Sequence, residues 1–96
     1  PIVVNTARGP LVDMDAAVEA LDSGRLGGVA LDVTETEPPP LEHPLRSHPR
    51  AVLTPHMAFY SVEAQEELQR RAAQEVARAL SGEPPDRPVN PEVLAH

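Results

Sequence analysis

The sequence predicts an α/β fold and, within that class, the second half of a doubly wound parallel sheet. Three observations carry the expectation. Short apolar runs recur at Ile2-Val3-Val4, Gly28 to Val33 and Ala51 to Thr54, the pattern of strands buried in a parallel sheet. Two longer segments, Asp13 to Gly24 and Val62 to Leu80, carry apolar residues at helical spacing. The order strand, helix, strand, loop, strand, helix is the grammar of a parallel α/β sheet. Three strands are few for a sheet that stands alone, so the chain reads as part of a larger domain.

Composition narrows what such a domain can do. Of 96 residues, 41% are apolar, yet Phe59 and Tyr60 are the only aromatics, so the core is built from Val, Leu and Ala. Eight Arg, no Lys and fifteen acidic residues leave a net charge of −7. A nucleic-acid binder needs a basic stripe, and this field has the opposite sign. No apolar run approaches the roughly 18 residues of a membrane span. The absence of Cys excludes a disulfide framework, a thiolate metal site and a Cys nucleophile. The expectation is a soluble, cytoplasmic, acidic piece that opens at Pro1, in mid-strand, and so is cut from something larger.

Each element has a local reason. Asp13 is placed to cap the first helix and Asp15 suits the positive end of its dipole. Ala17, Leu21 and Leu26 form its apolar side, and Ser23-Gly24 end it. Gly28 to Val33 is nearly all apolar, which predicts a strand covered on both faces. Thr34 to Pro40, with Pro38-Pro39-Pro40, cannot continue a strand or enter a helix interior. One short helical turn is expected between Leu41 and His48. Ser61 caps the second helix, whose apolar stripe is Leu68, Ala72, Val76 and Leu80, widened by Ala73 and Ala77; Gly82 stops it. Its acidic side, Glu63 to Glu75, reads as a solvent face. Residues 1–82 are expected to belong to the sheet domain and 83–96 to form an extended, Pro-rich tail.

In an open parallel sheet, ligands bind beyond the carboxyl ends of the strands. Those ends are Asn5-Thr6-Ala7-Arg8-Gly9, Asp32 to Glu37, and Thr54-Pro55-His56. An Arg, several carboxylates and a His therefore meet at one edge. An Arg can hold a substrate carboxylate through two hydrogen bonds. A His is the side chain suited to exchanging a proton near neutral pH, and a neighbouring carboxylate can orient such a ring and favour its charged form. Each residue also has a plain structural reading. Arg8 could pair with Asp13, Asp32 could cap a turn, Glu35 and Glu37 could be a solvated loop, and His56 could be structural. His43, His48 and His96 sit in loop or tail and are expected to be solvated. Nothing places His43 and His48 on a helix, so no metal is expected.

The runs Asn5 to Asp13, Ala20 to Arg25, Ala30 to Val33 through Glu37-Pro38, and Leu53 to His56 resemble the D-isomer-specific 2-hydroxyacid dehydrogenases in order and spacing. The likeness covers about residues 2–82, and Thr54 to Leu80 is similar to the C-terminal-binding-protein branch, whose eukaryotic members are corepressors. The resemblance implies a Rossmann-type NAD-binding domain and a hydride exchange between NAD(H) and C2 of a 2-hydroxy or 2-oxo acid. It further implies a homodimer that takes a small-molecule substrate and neither nucleic acid nor membrane. By position it makes Arg8 the substrate anchor, His56 the acid/base and Glu37 its partner. Asp32 would hold the nicotinamide carboxamide. Thr6, Ala7, Arg8, His56 and Ala58 would border the cofactor, and Phe59 would bear on substrate choice.

The fingerprint G-x-G-x-x-G is missing: Gly24, Gly27 and Gly28 do not form it and precede a strand. The choice between NAD and NADP is set near that fingerprint. A two-domain dehydrogenase also needs roughly 300 residues. The chain is therefore expected to be a carboxy-terminal part that turns nothing over by itself. The other readings are an NAD(H)-sensing interaction module and an inactive truncated relative.

Overall fold

The structure, a computed structural model, describes residues 1–95; His96, expected to be solvated, lies outside the described residues. The elements are β1 (Ile2–Asn5), α1 (Met14–Asp22), β2 (Gly28–Leu31), β3 (Ala51–Leu53) and α2 (Val62–Leu80). Short 3-10 turns lie at Gly9–Leu11, Pro44–Arg46 and Pro91–Ala95. The chain forms two compact units, 1–59 and 60–96. Among the described residues no helix is long and apolar enough to cross a membrane.

In the first unit, the three strands form one parallel sheet in the order β1-β2-β3. Register sorts their side chains by the two-residue period of a strand. The rows Val3–Val29–Ala51 and Asn5–Leu31–Leu53 share one face. There they meet Met14, Ala17 and Leu21 of α1 and Leu45, the core of the unit. Asp13 caps α1, its side chain accepting from Ala16 N at 2.9 Å, and Gly24 takes a φ of +76° just past the helix end, as the sequence predicts.

Three expectations for this unit are corrected. The sheet is covered on one face only. Ile2, Val4 and Val52, with Ala30 between them, make an apolar row on the other face, and Ile2 is 72% exposed. The strand β2 stops at Leu31 and not at Val33, because its neighbour β1 turns away after Asn5 and leaves nothing further to pair with. His43 and His48 lie in the loop, as expected, yet only 14% and 11% of their side chains are exposed. His43 Nδ1 accepts from Leu45 N and its Nε2 donates to Asp15 on α1 at 3.1 Å. His48 repeats the device: Nδ1 accepts from Arg50 N, and Nε2 donates to Asp22 at 3.2 Å. Arg50 in turn donates to the carbonyl of Leu21, satisfying an orphan oxygen at the end of α1.

In the second unit, Ser61 caps α2 by accepting from Ala64 N at 3.0 Å. Arg70 and Arg71 both reach Glu67 and hold its carboxyl down to about 2, so this part of the acidic side is paired. Leu68, Val76 and Leu80 are exposed. The tail is not simply extended. Glu83 pairs with Arg78 at 3.1 Å, Arg78 Nε donates to Pro84 O, Asp86 N donates to Glu75, and Pro91–Ala95 winds into a 3-10 turn.

The two histidine braces differ from surface ion pairs because each also ends a backbone bond inside the loop. His48→Ala is expected to cost about 1–2 kcal/mol, whereas Asp22→Ala, which removes the exposed partner alone, costs less than about 1 kcal/mol. Urea midpoints of the two variants check this; equal losses would place the energy in the ion pair.

Candidate active site

Because all strands run parallel, their carboxyl ends bring Asn5, Asp32 and Thr54 to one edge of the sheet. The turn after β1 is built by Asn5, which is 6% exposed. Its Oδ1 accepts from Ala7 N at 3.0 Å and its Nδ2 donates to Arg8 O at 2.8 Å. Thr6, Ala7 and Arg8 stand exposed on this turn. Arg8 Nη1 donates to Ala7 O at 2.7 Å, and no carboxylate among the described residues pairs with it, Asp13 included. Gly9 presses against the next loop: an added Cβ would lie 2.0 Å from Thr34 O. No side chain fits there.

The loop after β2 is folded by its own polar groups. Thr34 Oγ1 donates to Thr36 O at 2.7 Å, and Glu35 accepts from Met14 N at 3.0 Å, capping α1 from across the chain. Glu37 faces the other way. Its Oε1 accepts from Thr34 N at 3.2 Å, and its Oε2 lies 2.8 Å from His56 Nδ1. Those two hydrogen bonds, the imidazole first, hold the Glu37 carboxyl below its ordinary value.

His56 sits at φ +53°, a left-handed conformation that costs a non-glycine residue about 1–2 kcal/mol. Asp32 holds the turn that contains it. The Asp32 carboxylate, 6% exposed, accepts from Thr54 Oγ1 at 2.5 Å, Met57 N at 2.9 Å and Ala58 N at 2.9 Å. Its backbone carbonyl accepts from His56 N at 2.8 Å. The hydroxyl of Thr54, followed by the two amides, lowers the Asp32 carboxyl below its ordinary value. Asp32 thus caps a turn, the plain structural role open to it from sequence, and does so around the candidate acid/base.

Asp32, Glu37 and His56 line one cavity of about 510 Å³ together with Thr34, Arg46 and Thr54. Thr6, Ala7, Arg8, Ala58 and Phe59 flank the same edge but are not in that lining; Phe59 is 55% exposed. Sequence reasoning did not single out Asn5, Thr54 or Arg46. Arg46 Nη1 donates to Pro39 O at 3.2 Å, bracing the loop that carries Glu37. Among the described residues no group of three or more acidic or His side chains is placed to hold a metal.

The tautomer follows from the geometry. A carboxylate 2.8 Å from Nδ1 requires the proton there, which leaves Nε2 as the nitrogen that can carry or release one. A parallel α/β edge with an unpaired Arg and a carboxylate-oriented His defines a site for proton exchange beside a bound acid.

Comparison with known proteins identifies the family. Residues 1–58 match the NAD-binding domain of the D-isomer-specific 2-hydroxyacid dehydrogenases, and the chain belongs to that family. It is 47% identical over 92 residues to a glyoxylate reductase of Thermofilum pendens, covering 96% of this chain and 27% of that protein. Among solved structures, a protein from Thermus thermophilus is 45% identical, with a TM-score of 0.80 over 92% of this chain and 28% of the other. An NADPH-dependent glyoxylate/hydroxypyruvate reductase from Sinorhizobium meliloti, solved with NADP and sulfate, is 35% identical, with a TM-score of 0.76 over 90% and 27%. The chain thus spans less than a third of the length of these relatives. The parallel sheet and its helices are a Rossmann-type, doubly wound NAD-binding domain in part, as the sequence predicts.

Two outcomes are expected at this edge. Gly9→Ala forces the β1 turn off Thr34 and lowers stability by about 2–4 kcal/mol, checked by urea denaturation. Asp32 and Glu37 both titrate below their unfolded-state values. Their contribution to stability is therefore complete above about pH 4, and is lost as pH falls through the folded values. Urea midpoints followed down to about pH 2 should fall less steeply for Asp32→Asn than for the parent chain. An unchanged slope would place the acid sensitivity on other carboxylates.

Proposed function

We propose that the protein carrying this chain is a nicotinamide-dependent reductase of short 2-oxo acids to D-2-hydroxy acids. Residues 1–82 would belong to its NAD-binding domain, and 83–96 would return toward a substrate domain. The observation that carries the reading is the His56–Glu37 pair, 2.8 Å apart, at the carboxyl edge of a sheet that also presents an Arg without an acidic partner. The names of the relatives support glyoxylate and hydroxypyruvate as first substrates to test. NAD is the cofactor expected from the sequence; solved relatives carry NADP or NADPH, so both coenzymes belong in the test. A soluble cytoplasmic homodimer is the assembly and location that go with this reading.

The residues fit the cofactor. A carboxylate offers about four acceptor sites, and three on Asp32 are used, which leaves one for a carboxamide N–H. Thr6, Ala7 and Ala58 offer backbone and small side chains along the same edge. When bound, the reduced nicotinamide supplies the hydride that reaches C2 of the oxo acid. Arg8 holds the substrate carboxylate and the oxygen that gains charge. His56 gives the Nε2 proton to that oxygen, completing the hydroxyl, and keeps its Nδ1 proton on Glu37. Glu37 stays ionised and steadies the imidazolium before transfer. In the oxidative direction the same nitrogen accepts the proton. Phe59 borders the place where the C3 substituent would lie.

The sign of the pH dependence follows. Reduction starts from protonated His56, so its kcat/KM falls toward high pH; oxidation starts from the neutral ring and falls toward low pH. The decisive assay uses the full-length protein with a panel of 2-oxo acids and either coenzyme. His56→Gln is expected to lower kcat by about 10²- to 10⁴-fold, and Arg8→Ala to lower kcat/KM by about 10²-fold or more. Failure to reduce any short 2-oxo acid with NADH or NADPH would remove the enzyme reading. Coenzyme-dependent capture of a partner without turnover would select the corepressor-like one.

A further inference from the structure

We infer that Thr54 is a positioning residue for the acid/base: acting through Asp32, its hydroxyl fixes the turn that presents His56 to Glu37. The inference rests on the reading of His56 given above and extends it to a residue outside the reacting groups. His56 holds a left-handed φ of +53°, a conformation that persists only where the surroundings over-determine it. Four bonds from one residue do so here. Asp32 accepts from His56 N, Met57 N, Ala58 N and Thr54 Oγ1. The first three are amides of the turn itself and move with it. The fourth comes from Thr54, the residue directly after β3 (Ala51–Leu53), whose own backbone N donates to Leu31 O in the sheet at 3.0 Å.

Thr54 is therefore the one side chain that ties the carboxylate to the sheet. At 2.5 Å its hydroxyl shares Oδ1 with Met57 N, so it sets the rotation of the carboxylate plane on which the Met57 and Ala58 amides depend. Without the hydroxyl, the carboxylate can turn about its own axis and carry the two amides with it. The imidazole, on the next residue back, then leaves its 2.8 Å approach to Glu37. Asp32 itself cannot test this cleanly, because it also stands where the carboxamide would bind. Thr54 can.

The experiment compares Thr54→Val, which keeps the shape and removes the donor, with Thr54→Ser, which keeps the donor. Both are made in the full-length protein. The first readout is the low-field proton resonance of the His56 Nδ1–H shared with Glu37, which needs no substrate. The second is steady-state kinetics across pH. In Thr54→Val the resonance is expected to broaden or disappear, and kcat to fall about 10- to 100-fold, the effect of a reacting group displaced by about an ångström. KM for coenzyme and oxo acid should stay within about twofold, since no binding contact is removed. Thr54→Ser should restore both readouts. If Thr54→Val does not fold, Thr54→Ala replaces it against the same Ser variant. A resonance and pH profile unchanged in Thr54→Val, a lower melting temperature with kcat intact, or a Ser variant as impaired as Val would each overturn the inference. Should the parent protein reduce no 2-oxo acid, the functional reading fails on that assay. The resonance alone then decides whether Thr54 sets the His56 turn.

Discussion

The close approach of Gly9 to Thr34 is the constraint on which the carboxyl edge depends. A backbone-to-backbone contact with no room for a Cβ fixes the turn after β1 against the loop after β2. That loop then serves two sides. Glu35 reaches α1 and closes its first turn at Met14 N, while Glu37, two residues on, reaches His56. The turn bearing Arg8, the start of α1 and the carboxylate behind the imidazole are thus set by one contact. Alternation along an extended loop lets neighbouring residues face opposite ways, so three residues can join a helix to a site.

The same economy governs the histidine. Its backbone is strained and its ring is oriented, and the two conditions are met by different carboxylates. Asp32 closes the turn, and Glu37 takes the ring. Both are charged at neutral pH because hydrogen bonds to the ionised form hold their titration low. The division matters because a single carboxylate could not accept from the turn amides and from Nδ1 without leaving one of them unsatisfied. Arg46 adds a third support by holding Pro39 O, beyond the residue that takes the ring.

What could be read in the sequence, and what could not, divides along sequence distance. The strands, both helices and the caps at Asp13 and Ser61 were legible, because each depends on a local period or on a bond spanning three residues. Arg8, Glu37 and His56 were legible as positions at strand ends, and the motif order supplied the roles proposed for them. The bonds that assemble the site span 19 to 28 residues, and no local pattern announces them. Thr54 and Asp32 look like the polar ends of two strands until register brings them together. His43 and His48 look like loop residues until α1 supplies an aspartate to each. The open face of the sheet was misjudged for a related reason. An apolar strand shows that both of its faces are suited to cover, whereas the residues that provide the cover lie elsewhere.

That open face gives the chain a colloidal character of its own. Ile2, Val4, Ala30 and Val52 make a hydrocarbon strip beside strand edges with unspent hydrogen-bonding groups, a surface that adheres to its like. Opposing it is a net charge of −7, which makes any two copies repel. The repulsion acts over a Debye length of about 10 Å in 0.1 M salt and about 3 Å in 1 M salt, whereas the adhesion does not weaken with salt. Dispersal of this chain in water is therefore an electrostatic condition, strongest in dilute buffer and weakest in brine or near the isoelectric point.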